Sequence, residues 1–152
     1  MILNQIAKEK ASLFSMTATD ISKLSVEKAK RGEFSKSDIK RGLPDKFKKY
    51  LLNNGETIKV CQKIRKLIRF KAINLLSIPP DFPSFDLIFL RYVLIYFDDE
   101  KKKQVLNTII NHLKTGGYLI LDPATALKVK DKRVTSARYH SQTIFIKKGD
   151  RK

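Results

Sequence analysis

The sequence predicts an open α/β sheet of the doubly wound kind, in which helices alternate with parallel strands and an antiparallel pair closes the chain. Three observations carry that prediction. A short β-leaning run at 13–18 ends on Thr19-Asp20 and is followed at once by a helix pattern, which is half of a βαβ unit. Two nearly continuous apolar runs, at 85–90 and 118–121, flank an amphipathic pattern, as strands buried on both faces of a parallel sheet do. Two alternating runs, RVTSARY at 133–139 and QTIFIKK at 142–148, predict a terminal antiparallel pair.

Taken in order, residues 1–7 (MILNQIA) read as the end of a helix. Ser22 suits the N-cap of a helix running to Arg31, with Leu24, Val26 and Ala29 on its apolar side and Gly32 as its stop. From Glu33 to Gln62 the pattern is less regular. Gly42-Leu43-Pro44 breaks the chain, Phe47, Tyr50 and Leu51 fall at helical spacing, and Ile58 and Val60 alternate with lysines as a half-exposed strand would. This stretch reads as an insertion with its own small structure. Ile68, Phe70, Ala72 and Asn74 then alternate with Arg69, Lys71 and Ile73, and Pro79-Pro80 makes a loop. After the 85–90 strand, Asp98 or Asp99 can cap a helix to Leu113, with Val105, Leu106, Ile109, Ile110 and Leu113 at helical spacing. Lys114-Thr115-Gly116-Gly117 marks its end. Ligands of such sheets bind outside the C-terminal ends of the strands. That rule puts Asp20, Asn74, Arg91-Tyr92 and Asp122 on one rim.

Composition narrows the class. At 152 residues the chain suits one domain, and its 42% apolar content suits a folded one. No apolar stretch reaches the roughly 20 residues a membrane span needs, and the N-terminus lacks the pattern of a signal peptide. Cys61 is the single cysteine, which rules out an internal disulfide framework and any multi-cysteine metal site, so no metal is expected. The expectation is a soluble cytoplasmic protein without membrane insertion. The net charge of +17 would favour acidic partners, but lysines outnumber arginines 24 to 8 and are scattered along the chain. Phosphate and base recognition favours clustered arginines with interleaved aromatics, so a nucleic-acid partner is not expected and solvated lysine faces are.

Four segments taken together resemble the CheR chemotaxis-receptor methyltransferases: ATDIS at 18–22, RFKAINLL at 69–76, FDLIFLRYVLIYFD at 85–98 and LKTGGYLIL at 113–121. RGLP at 41–44 and HSQTIFIKK at 140–148 fit the same family, so the resemblance covers essentially the whole chain. It implies a Rossmann-like S-adenosylmethionine-dependent methyltransferase sheet over 1–152, a single partial catalytic domain with a small β-subdomain inserted at 41–67. The implied reaction is methyl transfer from S-adenosylmethionine to glutamate carboxylates on the cytoplasmic helices of chemoreceptors. An ionised carboxylate needs no strong base to attack a sulfonium methyl, so the absence of a nucleophile–base constellation is no obstacle.

The resemblance also assigns residues. Asp20 would accept the ribose hydroxyls of the cofactor, with a helix-capping role as the alternative. Asn74 would read the adenine amine and Leu75 would wall the ring, the alternative being a strand-end turn and a core leucine. Tyr96 would stand near the transferring methyl and the incoming carboxylate, or else pack between strand and helix. Arg91 would hold an acidic group at the site, and Tyr92 falls at the family's cofactor-contacting strand-end position. The β-subdomain would offer an edge to a receptor C-terminal peptide, although lysines there also blunt an edge. Cys61, His112 and His140 carry structural readings only.

Two departures fall on the rim. Tyr92 stands where the family has asparagine, and Asp122-Pro123-Ala124-Thr125 replaces a Gly-His-Ser-Glu type of turn. The family further implies a helical domain, a first strand and a glycine-containing cofactor loop ahead of the matched segments, the strand lying centrally in the sheet. Without it the sheet is expected to split into two pieces or close by other pairing. The expectation is therefore weak or absent cofactor binding and no activity for the isolated chain. The alternatives are half of a split enzyme complemented by an upstream-encoded N-terminal half, or a non-catalytic basic binding protein that keeps the fold.

Overall fold

The computed structural model describes residues 14–40 and 43–149. The helix end expected at 1–7 lies outside them, as do Arg41 and Gly42. The chain divides into two compact units, Met1–Asn74 and Leu75–Lys152, each described by itself.

In the N-terminal unit, β1 (Met16–Asp20) pairs in parallel with β5 (Ile68–Ala72), in a register from Met16 opposite Ile68 to Asp20 opposite Ala72. Helix α1 (Lys23–Arg31) packs on both strands and buries Val26. Ser22 is its N-cap, the Oγ accepting the Ser25 N–H at 3.2 Å, as the sequence predicts. Leu24 is exposed and not on the apolar side, because it lies about 200° round the helix from Val26. Gly32 ends the helix at φ 67°, in the left-handed region. A side chain there would also put Cβ 2.4 Å from Arg65 Cδ. Arg65 cannot simply swing away, since its Nε donates to the Val60 carbonyl and its Nη1 to that of Lys30.

The irregular stretch forms a three-stranded antiparallel sheet in the order β2 (Glu33–Ser35), β4 (Thr57–Val60), β3 (Leu51–Asn54). Helix α2 (Lys36–Lys40) follows β2, and α3 (Gln62–Arg65) follows β4. Phe47 lies in a 3-10 helix (Asp45–Tyr50) and is buried. Leu51 already begins β3, because the hairpin with β4 sets its register.

The C-terminal unit is a four-stranded sheet in the order β6 (Phe85–Leu90), β7 (Leu113–Leu121), β9 (Gln142–Lys147), β8 (Val134–Tyr139). β6 and β7 run parallel, and the other pairings are antiparallel. The closing hairpin falls where the alternating runs predict it. Helix α4 (Asp99–Asn111) is capped by Asp98, whose Oδ1 accepts the Lys101 N–H at 2.8 Å. It ends earlier than the apolar spacing suggests, because Leu113 pairs with Phe85 and starts β7. Lys147 Nζ closes this junction by donating to the carbonyls of Leu113 (2.6 Å) and Asn111 (3.3 Å). Arg133 ties the hairpin to α4 through Asn107 and Asn111 while holding Asp131.

One face of this sheet is closed. Leu90, Leu119, Leu121, Val134 and Phe145 pack there with Leu94, Val105, Ile109, Ile110 and Leu113. The other face departs from the expectation that the 85–90 strand is buried on both sides. Leu87 is 47% exposed and Phe89 65%. They continue two registered apolar rows, Leu87–Tyr118–Ile146 and Phe89–Ile120–Ile144. Among the described residues β6 has a neighbour on one side only, and the parallel strands form two separate sheets.

Candidate active site

In the N-terminal unit the rim is built by the parallel pairing of β1 and β5. Asp20 ends β1, and its carbonyl accepts the Ile73 N–H at 2.9 Å, which brings Asn74 to the same end of the sheet. The Asp20 Oδ1 accepts the Ser22 N–H at 2.8 Å, so the side chain is held just before the helix cap without being the cap. Both Asp20 and Asn74 are exposed. A carboxylate offers about four lone-pair positions, so a diol can still be accepted after one is used.

The C-terminal unit carries the remaining candidates. Leu75 opens it, half-buried against its core, so part of the proposed ring wall is already used in packing. Arg91 and Tyr92 follow Leu90, the last residue of β6, which pairs with Leu121. Both are exposed, and the Arg91 guanidinium lies 5.1 Å from the centroid of the Tyr92 ring. Arg91 Nη2 also donates to the Tyr92 hydroxyl at 3.2 Å. Tyr92 is left-handed, with φ 58°. The 3-10 turn Leu94–Tyr96 is anchored by fully buried Leu94 and leaves Tyr96 83% exposed. Tyr96 therefore does not pack between strand and helix.

The residue whose role the sequence reading missed is Asp122. It is 2% exposed and sits beside the Arg91–Tyr92 corner. Its Oδ1 accepts the Thr125 N–H at 3.0 Å and its Oδ2 the Thr125 hydroxyl at 2.8 Å, capping the short helix α5 (Pro123–Ala126). The signal was available: Asp, then Pro at the first helical position, then Thr at the third is an N-cap pattern.

Burial pushes the Asp122 carboxyl up, but chiefly the bonds from the Thr125 N–H and the Thr125 hydroxyl outweigh it and hold it below the ordinary carboxylate value. Hydrogen bonds from the Arg133 guanidinium lower Asp131 in the same unit. A carboxyl depressed by folding contributes stability above its unfolded pKa, and that contribution is lost as pH falls through the folded one. Stability of the C-terminal unit is thus expected to hold from neutral pH to the ordinary carboxylate range and to fall below it. Urea unfolding between about pH 7 and about pH 2 measures this. Asp122→Asn should flatten part of the acid loss, and an unchanged slope would remove Asp122 from it.

Among the described residues no group of three acidic, histidine or cysteine side chains could hold a metal, and no helix is long and apolar enough to cross a membrane. An acidic residue closing the first described parallel strand stands where open α/β sheets take their ligands. Over residues 1–143 the chain matches the family model described as CheR methyltransferase, SAM binding domain. It belongs to the CheR methyltransferase family, whose cofactor is S-adenosylmethionine. It is 36% identical over 115 residues to a chemotaxis protein methyltransferase of Vibrio parahaemolyticus, covering 74% of this chain and 42% of that protein. Chemotaxis protein methyltransferase 1 of Pseudomonas aeruginosa is 39% identical over 114 residues, with 74% and 42% covered. The chain thus spans 42% of the length of these curated relatives. Among solved structures, N-methyltransferase NodS from Bradyrhizobium japonicum with S-adenosyl-L-homocysteine is similar at TM-score 0.49 and 15% identity, covering 86% of this chain and 63% of that one. At that level the likeness adds nothing to the assignment. The residues present fit the cofactor: Asp20 offers a fixed, exposed acceptor for a ribose diol and Asn74 an amide on the same rim.

Proposed function

We propose that this chain is the cofactor-binding and catalytic part of a protein-glutamate O-methyltransferase acting in the cytoplasm on the helices of chemoreceptors. The coupling of Asp20 to Asn74 through the Ile73 N–H, on a chain of this family, is the observation that carries the reading. When bound, S-adenosylmethionine supplies a methyl carbon made electrophilic by its sulfonium. Asp20 accepts the ribose hydroxyls, Asn74 reads the adenine amine, and Leu75 offers the ring what its packing leaves free. Arg91 orients the substrate carboxylate and Tyr96 stands beside it. Tyr92 supports the guanidinium at the place where the family has a smaller amide. The substrate arrives ionised, so these residues bind and orient and move no proton.

The remainder of a family-length protein, joined to this chain or encoded upstream as a separate half, is the partner we assign to the open rows on β6. The exposure of Leu87 and Phe89 supports it. The isolated chain then binds the cofactor weakly or not at all. The exposed edge strand β3 is a place where a receptor C-terminal peptide can add a strand. A nucleic-acid partner is not part of this reading, since lysines such as Lys30, Lys101, Lys102 and Lys114 lie on local carboxylates.

Calorimetric titration with S-adenosylhomocysteine tests the proposal on the isolated chain and on the chain co-expressed with the N-terminal region of a curated relative. The complemented protein is expected to bind and to methylate receptor glutamates. Asp20→Ala is expected to weaken its binding by about 10- to 100-fold, the cost of charge-assisted hydrogen bonds lost. Absence of both binding and methyl transfer after complementation would overturn the reading.

A further inference from the structure

After α5 the chain runs Lys128-Val129-Lys130-Asp131-Lys132-Arg133 into β8, and this loop walls a cavity that the methyl-transfer reading leaves unused. The cavity measures about 370 Å³, within the roughly 300–1,000 Å³ of small-molecule sites. Its apolar side belongs to the core. Val134 and Phe145 are buried, and Val129 packs against the same cluster. Ser136 stands opposite Phe145 in the β8–β9 pair and lines the same space. Three lysines complete the wall. Lys130 and Lys132 come from the loop, and Lys148 is brought alongside by its N–H, which donates to the Arg133 carbonyl at 2.8 Å.

The charge of this wall is one-sided. Its acid, Asp131, is already matched by Arg133, which reaches it through the backbone N–H at 2.9 Å, Nε at 3.0 Å and Nη2 at 2.6 Å. The rest of that guanidinium is engaged by Asn107 and Asn111. Lysines elsewhere, such as Lys101 and Lys114, lie on carboxylates, but among the described residues no carboxylate pairs with Lys130, Lys132 or Lys148. Three cations without a counter-charge thus border an apolar floor.

We propose that this cavity binds a small organic monophosphate, with its phosphate among Lys130, Lys132 and Lys148 and its apolar body on Val134 and Phe145. Paired, planar recognition of a carboxylate calls for a guanidinium, and the one nearby is occupied. A lysine ammonium acts as a point charge, which suits phosphate. A phosphate monoester carries about −1.5 to −2 charges near neutral pH, so it can answer more than one lysine at once. Inorganic phosphate alone would leave the apolar floor uncovered, which assigns the ligand an organic body. None of Asp20, Asn74, Arg91 and Tyr96 takes part, so the site stands apart from the methyl-transfer reading.

The test uses the full chain, isotope-labelled for NMR and titrated with phenyl phosphate. The amide signals of Val129, Lys130, Lys132, Val134 and Lys148 are expected to shift and saturate, while those of Asp20 and Thr57 in the N-terminal unit stay in place. Inorganic phosphate lacks the body and benzoate lacks the second charge, so each should bind at least about tenfold more weakly. Added sodium chloride should weaken phenyl phosphate as well, since screening acts on exposed lysines. Lys130→Ala combined with Lys148→Ala is expected to lower its affinity at least about tenfold. Lys36→Ala combined with Lys63→Ala removes the same charge from exposed positions of the N-terminal unit and should change nothing. The core amides of Val105 and Leu119 report that each variant is folded.

Absence of a saturable shift around the cavity would overturn the proposal, and so would an equal loss in the two double variants. Equal affinity for inorganic phosphate or for benzoate would do the same, because the floor or the lysine cluster would then contribute nothing.

Discussion

Replacing Leu119 by alanine is expected to cost the C-terminal unit about 2–5 kcal/mol, the range for deleting a fully buried leucine side chain. Leu119 is 0% exposed, lies in β7 between Ile88 of β6 and Phe145 of β9, and belongs to the closed core. The surrounding strands are hydrogen-bonded on both sides of it and cannot collapse into the space, which puts the loss toward the upper end. Set against typical domain stabilities of about 5–15 kcal/mol, this is a large fraction. Chemical unfolding followed by circular dichroism measures it, with the exposed Leu127→Ala as a control expected to change almost nothing. A loss below about 1 kcal/mol would mean that Leu119 is not in a closed core.

The second large effect is expected at Gly117. A Cβ there would stand 2.7 Å from the Lys114 carbonyl oxygen, 3.1 Å from Leu113 Cδ1 and 3.2 Å from the Asp86 carbonyl oxygen. Two of these are backbone atoms, at the place where the β6–β7 register shifts, so the strands themselves must move. Gly117→Ala is expected to cost about 1–3 kcal/mol as overpacking. Its neighbour Gly116 differs in cause. Its φ is 74° and nothing lies within 4 Å of a Cβ, so Gly116→Ala is strained in its backbone alone, by about 1–2 kcal/mol. Asparagine tolerates that backbone, so Gly116→Asn should recover most of the loss while Gly117→Asn should recover none. Equal behaviour of asparagine at both positions would contradict this division.

The elements that could be read from the sequence are those whose signals are local. Ser22 and Gly32 bracket α1 because a cap and a left-handed stop act within one turn. The closing hairpin was legible because alternation needs no information from elsewhere. What could not be read depends on partners distant in sequence. The apolar run 85–90 signals a strand, but whether Leu87 and Phe89 are covered depends on what packs over them. Leu113 keeps helical spacing with Ile110, and only its pairing with Phe85 assigns it to β7. At the rim, residue types pointed to Asp20, Asn74 and Arg91. The left-handed state of Tyr92 and the burial of Asp122 are tertiary facts, visible only once β6 and β7 lie side by side.

The open rows on β6, β7 and β9 also give the charge a physical consequence that needs no specific partner. A partly exposed apolar sheet face beside a strand edge unpaired among the described residues is the geometry by which separate molecules stick together. At +17, two such molecules repel before those faces can meet. That repulsion is colloidal in nature, reaching only about 8 Å at physiological ionic strength, so the salt of the medium sets how well the bare face is kept apart from its own copies.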